Sequence, residues 1–254
     1  MLGFLGFFVS KIKDMPTAPK WLNDALEKIA PSFIRMVKVE NCKYLNPYLK
    51  KVRLKGDFTS LDFSPGFTIS FRVTPTESRH YTVSHADDSK KYIEFIAHLH
   101  GNAVGASYIN NLQADNQKIK LAVLGSGKQY DSNVEKQLIF GDETSLSLML
   151  SFLPLLKKNN HQFMFYIELE NLNKTIPAEI GLCNYTIFSK KDAFSSVESI
   201  QQLPLLNDSS WSDANIILTG NIKSIQNFRK ALKLNDHRGK IFVKGYWLEG
   251  RKGL

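Results

Sequence analysis

Near residue 135 the apolar pattern of this chain changes its period, and that change limits the fold more than any other feature of the sequence. Between residues 36 and 135 the apolar residues come in short runs, MVKVENCKYL, KKVRLKGDF, FTISFRV, HYTVSHA, YIEFIAHLHG and IKLAVLG, with turn-formers such as Ser64-Pro65-Gly66 and Asp87-Asp88-Ser89 between them. Short strands at such regular spacing predict an antiparallel β-barrel. Beyond residue 135 the strand-like runs KQLIFGD, HQFMFYIELE, NYTIFSK, DANIILTG and GKIFVKGYW alternate with helical ETSLSLMLSFLPLLKK and IKSIQNFRKALKL. Alternation of that kind predicts a mostly parallel sheet covered by helices. Ahead of both, Trp21, Leu22, Ala25, Leu26 and Ile29 recur at helical spacing, and Pro31 ends the pattern. The expected organisation is a helical segment over 1–35, a barrel over 36–135 and an α/β domain over 136–254.

With 254 residues, 43% of them hydrophobic, the chain can bury a sizeable core. Its formal charge of +9 favours anionic partners, but no nucleic-acid-binding module is present and no nucleic-acid partner is expected. Cys42 and Cys183 lie far apart with no Cys/His spacing around them, so neither a disulfide framework nor a zinc site is suggested and two free thiols are expected. Leu2 to Val9 is almost wholly apolar but lacks a basic flank before it and a cleavage site after it, and eight residues cannot span a bilayer. A cytoplasmic protein is expected, with this segment packed on the body or on a second subunit rather than on a membrane.

Three short stretches carry candidate chemistry. Arg79-His80-Tyr81-Thr82 with Val83 holds a permanent planar cation, a flat ring and a hydroxyl close together, a set suited to a diphosphate and a stacked ring system. The same residues also suit an ordinary half-exposed barrel strand. His100-Gly101 to Gly105-Ala106-Ser107 places small residues just before a helical pattern, where free N–H groups would face an anion, although glycines there also make simple turns. Gly141-Asp142-Glu143-Thr144 falls where the first parallel strand meets its helix, so it lines the ligand-binding end of the sheet. It does not match the dinucleotide glycine fingerprint, and it reads equally well as a helix cap.

Together, in this order, these stretches resemble the siderophore-interacting proteins, flavin-dependent ferric-siderophore reductases of the ferredoxin–NADP reductase superfamily. Leu124-Gly125-Ser126-Gly127, Thr219-Gly220 and Gly245-Tyr246-Trp247 with Gly250 extend the resemblance to about residues 36–250. The resemblance implies FAD held by Arg79, Tyr81, Thr82, Val83, His100, Gly101, Gly105, Ala106 and Ser107, with Trp247 covering the flavin or the nicotinamide. It implies NAD(P)H on Gly141, Asp142, Glu143, Thr144 and Gly220, with Lys190 and Lys191 for the extra phosphate of NADPH. Lys128, Arg251 and Lys252 would attract an anionic ferric siderophore, and no residue is expected to ligate metal or to act as a catalytic acid or base. The chain departs from the family at Ser145-Leu146-Ser147-Leu148, where Ala-Leu-Pro-Ala is usual, at Asn221 in place of an acid, at Gly105-Ala106 in place of a proline, and at Tyr108-Ile109. Alternatives are a flavin electron carrier working with an acidic iron–sulfur protein such as a ferredoxin, and a non-catalytic siderophore-binding module.

Overall fold

The computed structural model describes residues 16–101, 103–115, 117–190 and 192–251, which form two compact units divided between Gly127 and Lys128. This division falls ahead of the period change near residue 135. The apolar run Leu2–Val9 lies outside the described residues.

The first unit opens with helix α1 (Lys20–Ile29), which a turn at Pro31–Phe33 joins to strand β1 (Ile34–Asn46). Six more strands follow: β2 (Leu49–Lys55), β3 (Thr68–Arg72), β4 (Ser78–Thr82), β5 (His85–Ala86), β6 (Tyr92–His98) and β7 (Lys118–Gly125). Helix α2 (Val104–Asn110) lies between β6 and β7. The sheet order is β4-β3-β7-β1-β2-β6-β5, every pair antiparallel. Only Val83 and Ser84 separate β4 from β5, the two edges of the sheet, so these edges lie within about 11 Å of each other. The sheet is therefore rolled into a barrel whose ladder stays open at one seam.

Those two residues bridge the seam. Val83 N–H donates to Phe67 O at 2.8 Å on one side, while Ser84 N–H and Oγ donate to Glu94 O at 2.8 and 3.0 Å on the other. Inward-facing alternate positions, among them Val37, Val39, Val52, Leu54, Phe71 and Phe95, fill the interior, as a period of two requires. The run HYTVSHA is thus two strands rather than one, broken where the chain crosses the seam.

The second unit has five parallel strands: β8 (Lys136–Asp142), β9 (Gln162–Leu169), β10 (Tyr185–Ser189), β11 (Asn215–Asn221) and β12 (Ile241–Trp247). Their order, β10-β9-β8-β11-β12, reverses direction between β8 and β11. Helix α3 (Leu146–Lys158) follows β8; α4 (Ile176–Glu179), α5 (Val197–Gln201) and α6 (Pro204–Asn207) are single turns; and α7 (Ile222–Leu234) follows β11. Phe140 of β8 packs on Phe194 and Phe228 at ring separations of 4.3 and 5.4 Å, tying α7 to the sheet. Reversal of strand order opens a crevice at the carboxyl ends of β8 and β11, the ligand-binding position of such sheets.

Candidate functional site

Chemistry-bearing side chains gather in one cluster in each unit. In the first, Arg79 and Tyr81 share a face of β4 because they stand two residues apart. Both reach the first turn of α2, where a Cβ on Gly105 would come within 2.8 Å of Arg79 Cγ and 3.4 Å of the Tyr81 hydroxyl. Glycine is required by this close approach. The Tyr81 hydroxyl points at Gly105 O at 3.5 Å, and its ring packs on Phe71 and Phe95 at 5.8 and 5.1 Å. Burial pushes the Tyr81 phenol well above its ordinary pKa, so it stays a neutral donor.

The Arg79 guanidinium is half-buried and donates to Glu77 Oε1 at 2.9 Å and Ser78 O at 2.8 Å. Beside it, α2 starts at Ala103, which has no side chain able to cap it, and among the described residues no side chain accepts from its first-turn N–H groups. A planar cation next to uncapped helix amides suits a diphosphate.

The other residues read as flavin-binding are spread around this core. Thr82 pairs with Thr68 across the β3–β4 ladder, and Val83 and Ala106 are buried in the barrel. Ser107 and His100 are on the surface, the His100 ring 5.4 Å from that of His98. Gly101 has φ +53 with open space around a notional Cβ, so the left-handed turn alone calls for glycine there.

Lys50 escaped the sequence reading. It is 2% exposed, and its Nζ donates to the carbonyls of Ile109, Asn110 and Leu112 at 3.0, 3.0 and 2.8 Å. An ammonium therefore terminates α2 from inside the barrel and fixes the helix whose first turn meets Arg79. The signal was present in KKVRLK, where Lys50, Val52 and Leu54 share the inward face.

In the second unit the carboxyl ends of β8, β9, β10 and β12 bring together Asp142, Glu143, Glu168, Lys190 and Trp247. Asp142 accepts hydrogen bonds from Thr144 N–H at 2.9 Å and Thr144 Oγ1 at 2.5 Å, which caps the turn into α3. It also accepts from Asn221 N–H at 3.0 Å and from Trp247 Nε1 at 2.6 Å. Burial and the neighbouring charge of Glu143 push the Asp142 carboxyl up. Glu143 is buried and accepts from Glu170 N–H and Asn173 Nδ2, both at 2.8 Å, while Lys190 Nζ stands 2.8 Å from its other oxygen. Burial opposes the Glu143 charge, but Lys190 and these donors hold its pKa below the usual glutamate value. Glu168 accepts from Ser224 Oγ at 2.7 Å, and burial pushes its carboxyl up.

Lys190 is therefore not a free surface cation. It is drawn onto Glu143 and lies 5.3 Å above the Trp247 ring. Gly141 and Gly220 are filled by the chain itself: a Cβ on Gly141 would meet Ser145 Cβ at 2.2 Å, and one on Gly220 would meet Asp142 Oδ2 at 2.7 Å. Neither glycine forms an open anion cradle of the G-x-G-x-x-G kind. Lys128 and Arg251 are exposed, and Lys191 and Lys252 lie outside the described residues. Among the described residues no group of His, Cys, Asp and Glu has the geometry to hold a metal ion, and no helix is long and apolar enough to cross a membrane.

No family model matches the sequence, and no curated protein matches it. The structure is similar to that of a siderophore utilization protein from T. fusca, at 16% identity over 87% of this chain and 95% of the other, with a TM-score of 0.66. It is similar to the siderophore-interacting protein from Acinetobacter baumannii, at 16% identity over 85% and 91% of the two chains, with a TM-score of 0.65. A ferredoxin NADP+ reductase from Neisseria gonorrhoeae, solved with bound FAD and NADP, gives a TM-score of 0.67 at 14% identity over 84% of this chain and 98% of that one. The fold is thus that of the ferredoxin reductase-like proteins, a rolled antiparallel sheet followed by a parallel nucleotide-binding-type sheet.

Proposed function

We propose that this protein is a flavin-dependent reductase that binds FAD on its barrel and passes electrons to the iron of a ferric siderophore, which leaves as Fe(II). The observation that carries this reading is the meeting of Arg79 and Tyr81 with Gly105 at the uncapped start of α2. The residues present fit the diphosphate of FAD: Arg79 supplies a planar cation that would exchange its Glu77 contact for the ligand, the first-turn amides supply donors, and Gly105 leaves room for the Arg79 side chain beside them. Thr82 ends β4 and Val83 follows it at the seam, and both would line the approach to the flavin, while the Tyr81 ring packs on Phe71 and Phe95. A bound flavin supplies the exchange between two-electron and one-electron transfer that no side chain can perform.

The chain's own tasks are then to hold the diphosphate, to orient the ring along β4, and to attract an anionic substrate through its net charge of +9, with Lys128 and Arg251 among the exposed cations. No residue of this protein need ligate the iron, because the siderophore carries it. The substrate assignment draws on the T. fusca and A. baumannii proteins, which are described as handling siderophores.

On the donor side the fit is poorer. Asp142, Glu143 and Glu168 stand where a dinucleotide phosphate would approach, and Lys190 is already paired. NAD(P)H stays the first donor on fold, with a reduced ferredoxin as the second reading, since an acidic iron–sulfur protein suits the net charge of +9. The experiment is anaerobic reduction of a ferric siderophore with a ferrous-specific chelator as trap, run separately with NADPH, NADH and reduced ferredoxin. Trapped Fe(II) that requires both FAD and one of these donors supports the proposal; no Fe(II) with any donor overturns it.

A further inference from the structure

The polarity of α1 is inverted relative to that of an ordinary surface helix. Its polar edge faces the barrel: Asp24 and Glu27 reach Arg72 at 2.7 and 3.1 Å, and Glu27 reaches Lys120 at 3.2 Å. Lys20 and Arg72 hold the Asp24 carboxyl down at about 2. The opposite side carries Trp21 and Ile29, which are 70% and 58% exposed. A ten-residue helix is marginal in isolation and normally hides its apolar side; here ionic contacts hold the helix down and leave Trp21 and Ile29 outward, with Leu22 and Ala25 half-buried.

Next to it, the outer face of the sheet continues the same chemistry. Met36 on β1 is 57% exposed and directly opposite Lys120, which pairs with Glu27 of α1. One register step further, Lys38 stands opposite Lys118 on β7 and opposite Lys55 on β2, three like charges side by side across three strands. Like charges in that position oppose folding. Lys55 is relieved by Glu40 at 3.5 Å, whereas among the described residues no carboxylate lies within ion-pair distance of Lys38 or Lys118. An exposed tryptophan and isoleucine on a helix tied through Lys120 to the strand that carries Lys118 match the interface of an anionic bilayer, where rings sit at headgroup level and each lysine near the surface adds attraction.

We propose that this face, built from the outer side of α1 and the Lys38–Lys118 register of the barrel, docks the protein on the surface of a membrane containing anionic lipids. The proposal does not depend on the flavin reading. It departs from the expectation that membrane association is absent, which rested on the length and flanks of Leu2–Val9 and did not consider the outward side of α1. The apolar residues Leu2–Val9 with Lys11 and Lys13 precede this helix in sequence and have the composition of the same interface.

The test is co-sedimentation of the full chain with vesicles of phosphatidylcholine alone and of phosphatidylcholine mixed with phosphatidylglycerol, across a salt series. The expected result is binding to the mixed vesicles that weakens with salt and is much weaker on phosphatidylcholine alone. Trp21→Ser with Ile29→Ser should lower that affinity by tenfold or more. Lys38→Gln with Lys118→Gln should lower it by about fivefold per lysine and flatten the salt dependence. Melting temperature reads whether each variant is folded, and all four positions are exposed enough to leave it near the parent value. Absence of vesicle binding, or equal binding by parent and both double variants, overturns the proposal. So does a lipid-free dimer that Trp21→Ser dissociates, or a monomer in which an aqueous quencher cannot reach Trp21 without lipid. In those cases a second copy or the chain's own N-terminal segment covers the face.

Discussion

Replacing Gly105 with alanine separates the two roles that the first turn of α2 plays. Alanine in a helix is favoured over glycine by about 1 kcal/mol. The added Cβ would stand 2.8 Å from Arg79 Cγ, roughly an ångström inside van der Waals contact. Arg79 must swing away, and moving a half-buried side chain off its rotamer costs about 0.5–1.5 kcal/mol. These two contributions nearly cancel, so the melting temperature of the FAD-free protein should change little. FAD binding has no such compensation. Losing a charge-assisted hydrogen bond to the diphosphate costs about 1.5–3 kcal/mol, or roughly a ten- to hundredfold weaker dissociation constant. The assay is a calorimetric FAD titration of parent, Gly105→Ala and Arg79→Ala, each with its thermal melt. Gly105→Ala that binds FAD as tightly as the parent, while Arg79→Ala does not, would refute the argument that the close approach positions Arg79.

Three further substitutions test the packing beneath each cluster. Lys50→Met leaves three inward carbonyls without their donor and should destabilise the first unit by about 3 kcal/mol in chemical denaturation, with faster amide exchange over residues 104–112; unchanged exchange would remove Lys50 from any part in holding α2. Lys190→Ala strands the buried Glu143 carboxylate and should cost about 3 kcal/mol at pH 7. Because the Glu143 pKa is lowered, its contribution is present above the ordinary glutamate value and is lost as pH falls through the depressed one, so the difference between parent and variant should shrink in acid. Glu168→Gln should act in the opposite direction. The Glu168 pKa is raised, so its ionisation destabilises the fold as pH climbs above the ordinary value. The glutamine still accepts from Ser224, and the variant should be the more stable protein at pH 8 and lose that advantage near pH 4; a variant less stable at both would contradict the assignment.

The architecture was legible because periodicity is a local property. Runs such as KQLIFGD and IKSIQNFRKALKL announce a strand and a helix without reference to anything distant. Arg79 and Tyr81 could be paired with each other from their spacing, but their meeting with Gly105 needed the fold, since α2 reaches β4 only through the rolled sheet. The Asp142–Trp247 hydrogen bond joins β8 to the last strand of the same sheet, and no local pattern signals it. Lys190 read as a loop cation because sequence shows charge but not the buried Glu143 that claims it. The spacing of Trp21 and Ile29 gave the helix correctly, yet spacing cannot say which side faces the protein; Arg72, far along the chain, decided that.

The central claim is that the barrel holds a flavin through Arg79, Tyr81 and the start of α2, and the visible absorbance spectrum of the protein equilibrated with FAD and then freed of excess by desalting tests it most directly. The account predicts flavin bands retained near one per chain, bleached by a suitable donor under anaerobic conditions and restored by a ferric siderophore. A colourless protein that takes up no FAD would contradict it.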